Sequence, residues 1–142
     1  MAMRYVVDAS VLSHYFTADL YSVTLMRLLS RMNSEYQIHI PEFCLVECTN
    51  VLWKEARFRG LPQADAERFL DDLLGLPFEV VPIGDLLTQA LQIGVNHQLA
   101  IYDSLYIALA LNLDFPLITL DQKQSEAAVR CGVELKDIRD FS

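Results

Sequence analysis

Four carboxylate side chains stand in this sequence where they could bind a metal ion. Asp8 follows the apolar run YVV, Asp121 follows LITL, and Glu47 and Asp103 lie within apolar helical stretches. Carboxylates are rarely buried without a partner, and four that converge repel one another. A divalent cation suits this set of hard oxygen ligands, so we expect the four acids to bind Mg²⁺ or Mn²⁺.

A bound cation of this kind supports the hydrolysis of phosphodiester bonds. It makes a water molecule more acidic, orients that water for in-line attack, and stabilises the charge on the phosphate and the leaving oxygen. No Ser, Cys or Lys nucleophile is then required. The pattern therefore indicates metal-dependent phosphodiester cleavage, with the same four acids as catalytic residues.

Each acid taken singly also has an ordinary explanation. Asp8, Asp103 and Asp121 could each cap the N-terminus of a helix. Glu47 is harder to explain in this way, because it shares its helix face with small and apolar side chains, whereas a solvated Glu would lie opposite such a face. Two helical acids that face the core, together with two acids at strand ends, form a combination that capping does not explain.

The elements that must position these acids alternate between short β-rich runs and longer helical stretches. The predicted strands are Met3–Val7, Gln37–Ile40, Phe78–Pro82, Pro116–Thr119 and Val133–Leu135. The predicted helices are Ala9–Phe16, Ser22–Met32, Glu42–Phe58, a helix that opens at Leu61–Pro62 and ends at Gly75, Asp85–Gln98, Asp103–Asn112 and Gln122–Arg130.

This order predicts a single domain, residues 1–142, of the α/β class. We expect a central, mainly parallel sheet of four to five strands flanked by helices. Ligands of such folds collect at the carboxyl ends of the strands. Asp8 and Asp121 should therefore lie at the same edge of the sheet.

Composition limits the other classes of function. The net charge of −8 argues against non-specific binding of nucleic acid over the whole surface, although part of that charge is the predicted metal site. The longest charge-free stretch, residues 86–102, is interrupted by polar residues and falls short of the roughly 20 apolar residues of a membrane span. With 53% hydrophobic residues and no secretion signal, we expect a cytoplasmic protein whose apolar surface is covered by a partner.

Four segments of the chain resemble the PIN domain family, and specifically the VapC-like toxin ribonucleases of type II toxin–antitoxin systems. These segments are VVDASVL, PEFCLVECTNVL, IYDSLYIALA and LITLDQK, and their order and spacing extend over essentially the whole chain. The resemblance implies a PIN-like fold and an endoribonuclease that cleaves RNA. It also implies that Asp8, Glu47, Asp103 and Asp121 share Mg²⁺ or Mn²⁺.

The resemblance also suggests supporting residues. Ser10 and Thr119 match the family's hydroxyl residues beside its first and last acids, where they would hydrogen-bond carboxylates or metal-bound waters; local capping and turn bonds are the alternative. The compact basic group Lys54, Arg57 and Arg59 would contact RNA phosphates, or would simply form a solvated helix end that suits the helix dipole.

The implied partners are a small antitoxin protein and a second copy of the chain in a homodimer. The apolar stripes of Ser22–Met32 and Ala64–Leu74 are candidates for the antitoxin groove, with ordinary core packing as the alternative.

Two other functions compete with the ribonuclease. One is a non-catalytic PIN-like module that binds RNA or protein, which the presence of all four acids disfavours. The other is phosphotransfer through an aspartyl nucleophile. A haloacid-dehalogenase-like fold needs a second acid two residues after the first, and the segment DASVL lacks it. A receiver fold needs a Lys after a late strand, and none follows in the receiver pattern.

Overall fold

A computed structural model describes residues 2–141 and contains one parallel sheet of four strands. The strands are β1 (Met3–Val7), β2 (Tyr36–Pro41), β3 (Glu79–Val81) and β4 (Leu117–Ile118), and their order in the sheet is β3-β2-β1-β4. The predicted α/β class and parallel sheet are therefore confirmed.

Seven α-helices flank this sheet in the described part of the chain. They are α1 (Ala9–Leu12), α2 (Leu20–Ser30), α3 (Phe43–Phe58), α4 (Gln63–Leu74), α5 (Leu87–His97), α6 (Ile101–Leu113) and α7 (Gln122–Arg130). Short 3₁₀ helices cover Ser13–Phe16, Gly84–Leu86 and Ile138–Phe141. No helix within residues 2–141 has both the length and the apolar character needed to cross a bilayer.

The register of β1 with its neighbour β4 brings the first and last predicted site acids to one edge. Val6 pairs with Leu117 and Val7 pairs with Ile118. The backbone N–H of Asp8 then donates to the carbonyl of Ile118 at 3.2 Å. Because both strands end here in the same direction, the residues that follow them meet at the carboxyl edge of the sheet.

Helix α6 is the central helix of the fold. Its residues from Ser104 to Ala110 are all buried, as expected of a helix that is apolar on every side. Gly94 of α5 allows a close approach at this point, because a Cβ atom there would lie only 2.8 Å from the carbonyl oxygen of Leu99.

Three sequence predictions of local structure were wrong. Val133–Leu135 is no strand: it adds a single bridge, Leu117 to Leu135, because β4 is only two residues long and offers little more to pair with. Ala9–Phe16 divides after Leu12 into an α-helix and a 3₁₀ helix. The helix predicted to start at Asp103 begins at Ile101 instead, which places Asp103 in the first turn of α6 and rules out the alternative of an N-cap.

Candidate metal centre

The four predicted acids line one pocket of about 300 Å³ at the carboxyl edge of the sheet. Asp8 follows β1, Glu47 lies on α3, Asp103 lies on α6, and Asp121 precedes α7. The chain thus brings together carboxylates from four separate segments. The same pocket is lined by further polar side chains, Ser10, Asn50, Lys54, Tyr106 and Gln124.

Asp8 lies deepest, with only 2% of its surface exposed. One carboxylate oxygen, Oδ1, accepts hydrogen bonds from the Ser10 hydroxyl at 2.6 Å and the Val11 backbone N–H at 3.2 Å. The other, Oδ2, accepts from the Thr119 hydroxyl. Asp8 is therefore the N-cap of α1 and lines the pocket at once, so its capping role leaves it among the acids that face the pocket.

Two backbone groups fix the direction of these hydroxyls. The N–H of Leu120 donates to Ser10 Oγ at 2.9 Å, and the N–H of Asp121 donates to Thr119 Oγ1 at 3.0 Å. Each hydroxyl accepts from the segment after β4 and is left to donate to Asp8. The two predicted supporting residues, Ser10 and Thr119, thus both contact an acid of the pocket.

Asp121 caps α7, because its Oδ1 accepts from the backbone N–H of Gln124 at 2.8 Å. The side chain of Gln124 is 1% exposed and donates to the carbonyl of Asp103 at 3.1 Å. It therefore links α7 to α6 beneath the pocket. The sequence interpretation missed Gln124, although a Gln three residues after a capping Asp is a recognised helix-start signature.

Glu47 is held from the opposite helix. The phenol of Tyr106 donates to Glu47 Oε1 at 2.6 Å. Tyr106 was also missed, although it lies three residues after Asp103 and so shares a helix face with a predicted ligand. Burial, followed by Cys44 and Glu47, raises the pKa of the Tyr106 phenol, so this group remains a donor.

The pKa values of three carboxyl groups in the pocket are raised above their ordinary values, which disfavours full ionisation of the site. Burial raises the pKa of Asp8 to about 6, in spite of the hydrogen bonds from Ser10, Thr119 and Val11. Burial also raises the pKa of Glu47 to about 7, and the charges of Asp103 and Asp8 add to this effect.

Asp103 shows the same behaviour. Its pKa is raised by burial and by the charge of Asp121, and Lys123 offsets part of the rise. These carboxyl groups bind protons more tightly than free carboxyl groups do, as expected where buried acids lack a compensating positive charge.

The donor set suits a hydrated hard cation better than a closed cage of ligands. Within residues 2–141, no group of three or more His, Cys, Asp or Glu side chains is arranged so that it could hold a metal ion by itself. Mg²⁺ typically keeps several waters and takes one or two carboxylates directly. A pocket of about 300 Å³ has room for such waters, so the residues fit an ion bound partly through water.

The three predicted RNA-contacting residues separate in space. Lys54 lines the acidic pocket. Arg57 lines a different, apolar pocket between α3 and α4, with its guanidinium 5.2 Å from the ring centre of Phe58. Arg59 pairs with Glu55 at 3.2 Å. Of this group, Lys54 alone shares the pocket of the acids.

Comparison with known families agrees with this geometry. The PIN domain family model matches residues 5–130. The chain belongs to the PIN domain family. This confirms the resemblance drawn from the sequence, and the match takes in all four acids of the pocket.

The matches to individual relatives of this PIN domain cover most of the chain. Ribonuclease VapC3 of Pyrobaculum aerophilum is 29% identical over 126 residues, which are 87% of this chain and 94% of that protein. The crystal structure of PAE2754, also from Pyrobaculum aerophilum, has 25% identity and a TM-score of 0.76, and the match covers 99% of this chain and 95% of that one.

A more distant relative shares the fold. The crystal structure of VapBC2 from Rickettsia felis shows that complex bound to a DNA fragment from its own promoter. One of its chains matches this PIN domain with a TM-score of 0.68 and 16% identity. That match covers 95% of this PIN domain and 98% of the other chain.

Proposed function

We propose that this PIN domain is a Mg²⁺- or Mn²⁺-dependent endoribonuclease, most simply the toxin of a toxin–antitoxin pair that acts in the cytoplasm. The observation that carries the proposal is the convergence of Asp8, Glu47, Asp103 and Asp121 in one pocket. The similarity to a protein named as a ribonuclease, at 29% identity, supports the choice of RNA as the substrate.

The four carboxylates would hold the cation. When bound, the ion would supply an acidified water and stabilise negative charge on the phosphate. Ser10 and Thr119 hold both oxygens of Asp8, so this carboxylate has a fixed orientation. Gln124 holds the backbone at Asp103. Such supporting contacts set the geometry and affinity of metal ligands.

RNA reaches a pocket that is otherwise negative. Lys54 is a basic side chain that lines the acidic pocket, so it is the first candidate for a phosphate contact. Arg57 lies in the last turn of α3 and Arg59 directly after it, so they would contact the RNA only where the RNA strand extends beyond the pocket. A metal ion held by the carboxylates would add positive charge at the pocket.

The proposed partners are a small antitoxin and a second copy of the chain. Large apolar side chains are exposed on several helices, among them Val23 and Met26 of α2 and Leu74 of α4. The apolar pocket between α3 and α4 is lined by Leu52, Trp53 and Leu70. The apolar stripe predicted for the antitoxin on Ser22–Met32 is core instead, because Leu25, Leu28, Leu29 and Met32 are buried. The antitoxin would cover the exposed side chains of α2 and the pocket between α3 and α4, which would remove apolar area from water.

The test is incubation of the purified protein with total RNA, with Mg²⁺ and with excess chelator. Asp8→Asn and Asp103→Asn proteins, purified in the same way, exclude a contaminating nuclease. We expect cleavage with Mg²⁺, none with chelator, and a loss of at least about a hundredfold in each variant with an unchanged circular dichroism spectrum. Full activity in either variant would remove the assignment, and RNA binding without cleavage would favour the non-catalytic module.

A further inference from the structure

The two helices that carry Glu47 and Asp103 are joined by one hydrogen bond inside the site. Tyr106 lies on α6, one turn after Asp103, and its hydroxyl donates to Glu47 Oε1 on α3 at 2.6 Å. The side chain of Tyr106 is 1% exposed. The Tyr106 hydroxyl therefore reaches the pocket, while the ring of Tyr106 is part of the core.

The Tyr106 ring is held by aromatic neighbours rather than free to turn away. It packs against the ring of Phe43 with 6.3 Å between centroids. Phe43 in turn stacks on Tyr102 at 5.0 Å and 23°. Because Phe43 lies one turn before Glu47 on α3, the same packed contact fixes the donor and the backbone of its acceptor.

Glu47 needs such support more than the other acids do. A glutamate has three rotatable side-chain bonds and loses conformational entropy when it is held in one orientation. Within residues 2–141, Tyr106 supplies the hydrogen bond that its carboxylate accepts, and that bond involves Oε1. Asp8, by contrast, is shorter and is held by three donors.

We propose that Tyr106 is a positioning residue for metal binding, which holds Glu47 Oε1 so that Oε2 is available to the cation or its waters. The proposal rests on the proposed function, because it takes Glu47 as a metal ligand. It goes beyond that function by assigning a role to a tyrosine of the core. A merely structural role would stabilise the α3–α6 contact and leave the affinity for metal unchanged.

A double-mutant cycle separates these two roles. The proteins are the unmodified chain, Tyr106→Phe, Glu47→Gln and the double variant, and the measurement is the dissociation constant for Mn²⁺ by titration calorimetry without RNA. Tyr106→Phe keeps the ring and removes only the hydroxyl. Tyr102→Phe is the matched control, because its phenol lies on the same helix but is 61% exposed.

We expect Tyr106→Phe to weaken Mn²⁺ binding about tenfold, a loss typical of a group that supports a metal ligand. Tyr102→Phe should change binding by less than about twofold. In the Glu47→Gln background, Tyr106→Phe should cost almost nothing further, because Tyr106 acts through Glu47. An unchanged affinity in Tyr106→Phe, or an equal loss in both backgrounds, would overturn the proposal.

The failure of this inference is distinguishable from the failure of the proposed function. If the unmodified protein neither binds Mn²⁺ nor cleaves RNA, the ribonuclease assignment fails and the positioning role fails with it. If the unmodified protein does both and Tyr106→Phe binds Mn²⁺ normally, only the positioning role is wrong. The circular dichroism spectrum and the metal-free melting temperature establish that each variant is folded.

Discussion

Thr119 donates a hydrogen bond to Asp8 across a separation of 111 residues in the sequence. Its oxygen accepts from the backbone N–H of Asp121, so the hydroxyl hydrogen is left for Asp8 Oδ2. One threonine thus couples the acid that follows the first strand to the acid that follows the last. The coupling depends on β1 and β4 being parallel neighbours that end at the same edge.

Thr119→Val should therefore weaken catalysis without unfolding the protein. Valine keeps the shape of the side chain and removes the donor to Asp8, which is 2% exposed and has little water to replace it. We expect a loss of about 10- to 100-fold in Mg²⁺-dependent kcat/KM. Thr88→Val, on the exposed side of α5, is the control. Equal activities in the two variants would mean that Thr119 only completes a turn.

The metal-free protein should lose stability as the pH rises from about 4 to about 7. The pKa of Asp8 is raised from 3.8 to about 6, and that of Glu47 from 4.5 to about 7. The folded state therefore binds protons more tightly than the unfolded chain. Stability from this source is complete below the ordinary pKa values and is lost as each group ionises.

For Asp8 alone, a shift of about two units corresponds to roughly 3 kcal/mol. Urea denaturation in chelator at pH 4.5 and pH 7.5 measures the change, and Asp8→Asn should flatten the profile. Saturating Mg²⁺ should restore stability at the higher pH, because the ion binds the folded state. A metal-free profile that rises with pH, or an Asp8→Asn profile as steep as that of the unmodified chain, would contradict the raised pKa values.

Lys54→Ala should weaken RNA binding more than Arg59→Ala does. Lys54 lines the acidic pocket, whereas Arg59 is paired with Glu55. Fluorescence anisotropy with a single-stranded RNA, in an Asp8→Asn background that does not cleave, measures the affinity over a range of salt. Loss of one phosphate contact should reduce the salt slope by about 1. The reverse order of the two variants would place the RNA on the outer end of α3.

Gly94→Ala should destabilise the fold, because the new Cβ would meet the carbonyl oxygen of Leu99 at 2.8 Å. Backbone cannot move aside as a flexible side chain does, so we expect a loss of about 1–3 kcal/mol in the free energy of unfolding. Gly84→Ala is the matched control, since a Cβ there has open space. Indistinguishable denaturation midpoints for the two variants would show that the α5–α6 contact tolerates the added methyl group.

The sequence predicted the sheet, Asp8 and Asp121 because apolar runs and the residues directly after them carry that information. Glu47 and Asp103 were predicted because each shares a helix face with apolar side chains. Asp8 and Asp121 follow strands, so parallel pairing alone brings them together. Tyr106 was missed because an apolar helix gives no sign of which of its residues will meet the facing helix. Gln124 was missed because nothing in the polar sequence of α7 marks it as buried. Val133–Leu135 was mistaken for a strand because its apolar composition does not reveal that its neighbour β4 is only two residues long.

The dispersal of the basic group has a similar cause. Lys54, Arg57 and Arg59 are compact in sequence, but Arg57 lies against the ring of Phe58, and Arg59 follows the end of α3 and pairs with Glu55. Only the first of them shares the side of α3 on which Glu47 faces the pocket. Proximity along a helix did not predict a shared surface.

The most direct test of the account is to locate Mn²⁺ in crystals by its anomalous scattering. Crystals soaked in Mn²⁺ should show an anomalous peak in the pocket bounded by Asp8, Glu47, Asp103 and Asp121, and Asp8→Asn crystals should lose it or weaken it strongly. A saturating soak that leaves this pocket without a peak, or that places the ion elsewhere on the molecule, would contradict the claim that these four acids form a metal centre.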